Sequence, residues 1–193
     1  MKEKIIRTIE KSSIFMLMFI TMILIVTTTG FLCNITVTTL HLPIITILSI
    51  ALFILFYKKD NIKQNIISIL VALLVFIISI CSLGTIYDTT SDGNTYHKLA
   101  IGSMKNGWNP DYMSSEDFTK EKGNVFDPGK DNMNTFWIDH YAKGTEIFGA
   151  VIYAFTSNIE TAKIYTVLIM YSLFGLSLGY LSKRIGLISS III

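Results

Sequence analysis

The sequence is short of charge and lacks the motifs of several common protein classes. Charged residues make up 16% of its 193 residues, against about 25% in an ordinary soluble domain, which excludes that class. The sequence contains no Gly-rich phosphate loop, no zinc-ligand spacing and no internal repeat. A P-loop nucleotide site, a zinc domain and a repeat protein are therefore unsupported.

Hydrophobic residues, 51% of the chain, are concentrated in long segments. Residues 14–33, 65–84 and 162–182 are each long enough to cross a ~30 Å hydrocarbon layer, and 40–57 reaches that length when it starts near Leu40. The apolar residues 185–193 cover at most about 14 Å as a helix. We predict an all-α integral membrane protein with about four complete transmembrane helices and a truncated fifth.

The basic residues predict how the chain is oriented. They cluster in the tail 1–13, in the turn that contains Lys58, Lys59 and Lys63, and at Lys183 and Arg184. Four spans place all three clusters in the cytoplasm, in line with the positive-inside rule. We therefore predict a plasma (inner) membrane protein with a cytoplasmic basic tail and a long outer loop over residues 85–161.

The first hydrophobic segment has an alternative interpretation as a cleaved signal. Its basic flank fits a signal peptide, but its apolar run of about 20 residues is too long and no A-x-A-like site follows. A lipoprotein signal is only faintly matched at Gly30–Cys33, where leucine precedes the cysteine. We predict an uncleaved first span.

Cysteine is scarce, and Cys33 and Cys81 both fall near the predicted outer ends of spans. A disulfide between them is one alternative on the oxidising side. The other, which we favour, is that each is a small buried apolar residue.

The outer loop carries most of the polar chemistry and is acidic. Between residues 85 and 158 ten acidic residues outnumber six lysines, although the whole chain has a net charge of +2. This distribution argues against a nucleic-acid partner. Helical periodicity predicts surface helices over about 93–106 and 145–157, with an irregular polar loop over 111–134 between them.

The first surface helix has clear start and stop signals. Asp92 occupies an N-cap position and Gly107 follows as a C-terminal stop. Trp108 suits a membrane–water interface. The local sequence favours this structural interpretation of Asp92. Alternatively, Asp88 and Asp92 supply a general base or bind a divalent cation together with His97.

The second half of the loop offers cations beside a carboxylate. His140, Lys143 and Glu146 follow one another at intervals of three residues. Such cations could hold a phosphate leaving group. Equally, Lys143 and Glu146 could form a surface pair worth a few tenths of a kcal/mol.

Two stretches in order resemble a known family of membrane enzymes. The stretch from Asp92 to Ala100, followed by GWNP at 107–110, resembles the first outer loop of GT-C glycosyltransferases. HYAKGTEIFGAVIYAFTSNIETAKIY at 140–165 resembles a later segment of the same enzymes, with Lys143, Glu160 and Ala162 on matching positions. The mannosyl and aminoarabinose transferases of this superfamily use polyprenyl-phosphate sugars.

The resemblance implies an inverting glycosyltransferase, of which this chain is an N-terminal fragment, inactive by itself. It implies Asp92 as catalytic base, with Asp88 assisting it or binding a divalent cation. It also implies that Lys143, with His97 or His140, neutralises the departing phosphate of the donor. The substrate loop would then include Tyr96, Trp108 and Glu146. The alternative is a non-enzymatic transporter subunit or scaffold whose outer loop is structural.

Overall fold

The computed structural model describes residues 2–123, 135–140 and 142–185, and those residues contain α-helices, short helical turns and no strand. The all-α prediction is therefore confirmed for this part of the chain. Residues 124–134 of the irregular polar loop and residues 186–193 of the predicted fifth helix lie outside the described residues.

Four helices form a stem. They are α1 (Lys2–Leu32), α2 (His41–Phe56), α3 (Ile62–Leu83) and α8 (Ile164–Ile185). Three helical segments are long and apolar enough to cross a membrane, namely α1, α3, and α8 with the turn before it. Helix α2 has only 16 residues, or about 24 Å. The structure thus supports three candidate spans where the sequence predicted four.

Helix α1 is longer than its predicted span. It begins at Lys2, so the described part of the basic tail is helical and continues into the apolar segment. No proline or glycine occurs before Gly30, so nothing in the local sequence interrupts the helix.

Helix α1 lies at the centre of the stem. Its Phe15 and Phe19 make edge-to-face contacts with Phe53 of α2 and Phe76 of α3, with ring centroids 5.4 Å apart in both pairs. Many apolar side chains of α2, α3 and α8 point outwards and are exposed. A large exposed apolar surface of this kind suits contact with a membrane.

The described residues between 85 and 163 form a head at one end of the stem. After a π-helical turn (Gly93–His97) come α4 (Lys98–Lys105), α5 (Ser115–Lys122), α6 (Thr135–His140), α7 (Gly144–Thr156) and a 3₁₀ turn (Ile159–Lys163). Helix α5 falls within the segment that the sequence predicted to be irregular. Ser114 caps it by accepting from the N–H of Asp117, and Gly123 with φ +72° ends it.

Helix α7 is a core element of the head rather than an exposed surface helix. Phe148, Val151 and Ile152 are completely buried, and α7 contacts α4, the 3₁₀ turn and α1. Apolar residues on several sides of its axis explain this position, because a helix with apolar residues all round is normally buried.

The segment after α4 joins the head to the stem. Gly107, at φ +105°, ends α4 in a Schellman motif, in which the N–H of Gly107 bonds Met104 O and that of Trp108 bonds Ser103 O. The Trp108 side chain is 1% exposed and donates to Met113 O at 2.8 Å. The prediction of an interfacial tryptophan is therefore wrong, since its indole N–H is satisfied inside the head.

Asn109 completes this junction. Its side-chain amide donates to Phe31 O at the end of α1, at 2.9 Å. Cys33 lies close by in the sequence, and both it and Cys81 are free and exposed, so the structure contains neither the disulfide nor the buried thiols considered above.

A cluster of polar side chains closes the opposite end of the stem, which we call the stem base. Lys11 of α1 is 4% exposed and donates to Asp60 and Asn65, at 2.6 Å in each case. Its amine also lies 4.7 Å from the centre of the Tyr57 ring. Arg7 shares the Asp60 carboxylate at 3.1 Å.

Candidate functional site

The head contains a pocket of about 450 Å³, which we call the head pocket. It lies where the segment after α3, the π-helical turn, the start of α7 and the 3₁₀ turn meet. Seven Asp, Glu, His or Lys residues line it: Asp88, Asp92, His97, Lys98, Glu146, Glu160 and Lys163. The sequence-predicted residues Asp88, Asp92, His97 and Glu146 are thus brought together.

Asp88 shapes the turn that precedes the π-helical segment. Its carboxylate accepts from the backbone N–H of Thr90 at 2.9 Å. Hydrogen bonds from the backbone N–H and the hydroxyl of Thr90 hold the pKa of the Asp88 carboxyl below its usual range. A Cβ on Gly93 would lie only 2.0 Å from an Asp88 carboxylate oxygen and 2.6 Å from the Thr90 hydroxyl oxygen, so glycine lets the chain pass close to these side chains.

Thr90, rather than Asp92, caps the helical segment. The Thr90 hydroxyl oxygen accepts from the N–H of Gly93 at 3.1 Å, the contact typical of an N-cap side chain. Asp92 itself has helical backbone angles and makes no side-chain capping bond. The N-cap prediction for Asp92 is wrong because the helical turn begins two residues earlier than its periodicity indicated.

The Asp92 carboxylate is exposed and lines the head pocket. Within the part of the chain that the structure describes, no hydrogen bond or ion pair involves this carboxylate. The two aspartates therefore differ: the Asp88 side chain is bonded to its own turn, whereas that of Asp92 is open to a ligand.

His97 and Glu146 form a close pair across the pocket wall. The distance from His97 Nδ1 to Glu146 Oε1 is 2.6 Å, and Thr145 donates to the second carboxylate oxygen at 2.9 Å. The Glu146 side chain is 3% exposed and that of His97 40%. A buried carboxylate thus orients an imidazole that is accessible from the pocket.

Glu160 is the centre of a second, denser cluster. It accepts from Lys98 at 2.5 Å, from Lys163 at 2.9 Å and from the backbone N–H of Asp88 at 3.0 Å. The side chains of Lys98 and Glu160 are 9% and 10% exposed. Lys98 also lies 4.4 Å from the centre of the Tyr87 ring.

Two of the predicted phosphate-binding residues are elsewhere. Lys143 lines a separate pocket of about 420 Å³ together with Trp108 and Asp139, and burial lowers the pKa of its amine. His140 is exposed at the end of α6. Tyr96 is half-buried, with its ring 4.5 Å from that of His97. Of the three predicted phosphate-binding residues, the structure places only His97 in the head pocket.

The described residues contain no preformed site for the predicted divalent cation. Among residues 2–123, 135–140 and 142–185, no three His, Cys, Asp or Glu side chains are grouped closely enough to hold a metal ion. Asp88, Asp92 and His97 share the pocket without forming such a group.

Sequence reasoning did not select Lys98, Glu160 or Lys163 as site residues. Glu160 entered only through the family resemblance. The contacts of Glu160 with Lys98 and Asp88 join residues 62 and 72 positions apart, so no local pattern could reveal them. The local sequence offers one signal for these residues. Glu160 and Lys163 have the spacing of an ion pair on a helix.

Comparison with known proteins gives no relative for this chain: no family model, no curated protein and no solved structure matches it.

Proposed function

We propose that the head pocket is part of the catalytic site of a membrane glycosyltransferase. Its donor is a polyprenyl-phosphate-linked sugar, and its acceptor a glycan, lipid or protein hydroxyl. The observation that carries the proposal is the open carboxylate of Asp92 in a pocket at one end of an apolar stem. The resemblance to GT-C enzymes points to the same residue.

Asp92 is the general base in this proposal. Its carboxylate takes the proton from the acceptor hydroxyl as the hydroxyl oxygen bonds to the anomeric carbon of the sugar. The bond from that carbon to the phosphate oxygen breaks, and the phosphate keeps the electron pair. A single displacement of this kind inverts the anomeric carbon. A base without competing partners suits this role, whereas Asp88 is already held by Thr90.

We infer the phosphate-facing role for His97, because its side chain is 40% exposed, whereas those of Lys163 and Lys98 are 29% and 9% exposed. Lys98 and Lys163 both contact the carboxylate of Glu160, and Lys143 lines a different pocket. His97 lies in the head pocket and is held by Glu146. A cation placed there would stabilise the negative charge that develops on the departing phosphate.

The apolar stem is consistent with a lipid-linked donor. A polyprenyl chain needs an apolar environment next to the reacting sugar. The candidate spans α3 and α8 end and begin beside the segments that line the head pocket. A donor anchored in the bilayer would therefore reach the head without leaving the membrane.

The test is turnover of labelled polyprenyl-phosphate sugars by membranes that contain the full gene product. We expect wild-type membranes to release polyprenyl phosphate and the Asp92→Asn variant to release on the order of 1000-fold less. Asp111→Asn is the matched control, because it removes the same charge from an exposed head residue outside the pocket. If the Asp92→Asn variant retains full transfer, Asp92 is not the base. If wild-type membranes release no polyprenyl phosphate, the non-enzymatic scaffold interpretation is favoured.

A further inference from the structure

The segment between α3 and the π-helical turn is held from three sides. Lys163 donates to Ile86 O, and Glu160 accepts from the N–H of Asp88 at 3.0 Å. The side-chain amide of Asn94 donates to the carbonyls of Asp88 and Thr90, at 2.8 and 2.9 Å. Residues 86–90 belong to no helix or strand, so these side chains satisfy several of their backbone groups.

One ion pair links the three contacts. Lys98 donates to Glu160 at 2.5 Å and to the Asn94 side-chain oxygen at 2.9 Å. Lys98 follows Asp92 by six residues on one continuous helical segment. Glu160 therefore fixes both sides of Asp92, binding Asp88 before it and Lys98 after it.

A buried ion pair is a costly way to stabilise a fold. Removing both charges from water is expensive, and well-packed apolar residues in their place are often equally stable or more so. The Lys98–Glu160 pair, at most one-tenth exposed, is thus poorly explained by stability alone. Its hydrogen bonds do determine where the backbone of residues 86–90 lies.

We propose that Lys98 and Glu160 are positioning residues that hold the Asp92 carboxylate in the head pocket. The inference rests on the proposed function for its catalytic consequence, but the structural part stands by itself. Neither side chain acts on substrate. They act through Asp88 and Asn94, whose contacts define the turn that carries Asp92.

The Lys98→Met/Glu160→Met double variant separates positioning from stability. In the full gene product, we expect its melting temperature to stay within about 3 °C of the wild type, because no buried charge is left unpaired. We expect amides 87–93 to exchange hydrogen about tenfold faster, because the Asp88 N–H loses its Glu160 acceptor and the turn that follows is no longer held. We expect kcat for sugar transfer to fall on the order of 100-fold, the effect of displacing a reacting group by about 1 Å, with KM little changed.

The Lys11→Met/Asp60→Met variant is the matched control. It removes a similar ion pair at the stem base, so exchange of amides 87–93 and kcat should both match the wild type. The positioning role is overturned if the Lys98→Met/Glu160→Met variant keeps wild-type exchange and wild-type kcat. If exchange accelerates but wild-type membranes transfer no sugar, the positioning contact is real and the proposed function fails.

Discussion

Two lysines at opposite ends of the molecule, Lys98 in the head and Lys11 at the stem base, are held in closely similar ways. Each is nearly buried, at 7% and 4% exposed, and each contacts a carboxylate, an asparagine side-chain oxygen and the face of a tyrosine ring. The partners are Glu160, Asn94 and Tyr87 for Lys98, and Asp60, Asn65 and Tyr57 for Lys11. In both clusters the carboxylate also binds a second cation.

The two clusters differ in what their carboxylates hold. Asp60 lies in the short turn between α2 and α3 and joins that turn to α1. Glu160 also accepts from the backbone N–H of Asp88, in the segment leading to an open carboxylate. The same polar arrangement thus ties helices together at one end and, in our proposal, positions the Asp92 carboxylate at the other.

Removing one charge of the Lys98–Glu160 ion pair should have the largest effect on stability. Glu160→Gln leaves the buried Lys98 without a countercharge, and we expect a loss of about 3 kcal/mol in the free energy of unfolding. Asp60→Asn should cost less, because the Asp60 side chain is 28% exposed and water replaces part of its interaction. Thermal unfolding in detergent measures both, and an equal or larger loss for Asp60→Asn would contradict the comparison.

A methyl group beside Asp88 should have an intermediate effect. Gly93→Ala places a Cβ 2.0 Å from an Asp88 carboxylate oxygen, and relieving that overlap should cost about 1–3 kcal/mol. Gly144→Ala is the control, because nothing lies within 4 Å of its added Cβ.

Gly175→Ala gives the corresponding test in the stem. Its added Cβ would meet the Ser13 hydroxyl, also at 2.0 Å. We expect α1 and α8 to separate slightly there without any change in amide exchange at residues 87–93. Exchange that accelerates at 87–93 in Gly175→Ala but not in Gly93→Ala would contradict the separation of the two regions.

Acidification should have the smallest effect on stability, and it should act on both the head and the stem base. Hydrogen bonds from Thr90 lower the pKa of Asp88, and the hydrogen bond and charge of Lys11, with Arg7, lower that of Asp60. A carboxyl whose pKa is lower in the folded state stabilises the fold above its unfolded pKa of about 4, and that contribution is lost as pH falls through the folded pKa.

Melting temperature measured from pH 6 down to pH 3 checks this expectation. Wild-type stability should decline below about pH 4, and Asp88→Asn and Asp60→Asn should each make the decline shallower. A decline of unchanged steepness in both variants would show that other carboxyl groups cause it.

The sequence predicts the stem better than the head because the stem depends on local properties. Long apolar segments identify α1, α3 and α8, and a short one explains why α2 falls below the length of a span. Hydropathy does not reveal that α1 continues back to Lys2, because that segment is charged, although no residue in it breaks a helix.

The head depends on contacts between distant residues, which one sequence cannot reveal. Periodicity located α4 and α7 approximately, but not the burial of Trp108 or of α7. The sequence selected Asp92 and His97 for the site, yet it treated Asp92 as a helix cap and did not anticipate that Glu160 would reach Lys98. Those features depend on how α3, α4 and the 3₁₀ turn pack together.

The most direct test compares Asp92→Asn with Asp88→Asn in the full gene product, measuring kcat for sugar transfer and melting temperature for each. Asparagine at position 88 can still accept from the N–H of Thr90, whereas asparagine at position 92 cannot take a proton. We expect Asp92→Asn to lose transfer on the order of 1000-fold at an unchanged melting temperature, while Asp88→Asn keeps most of its transfer. Loss of transfer in Asp88→Asn with normal transfer in Asp92→Asn would contradict this expectation.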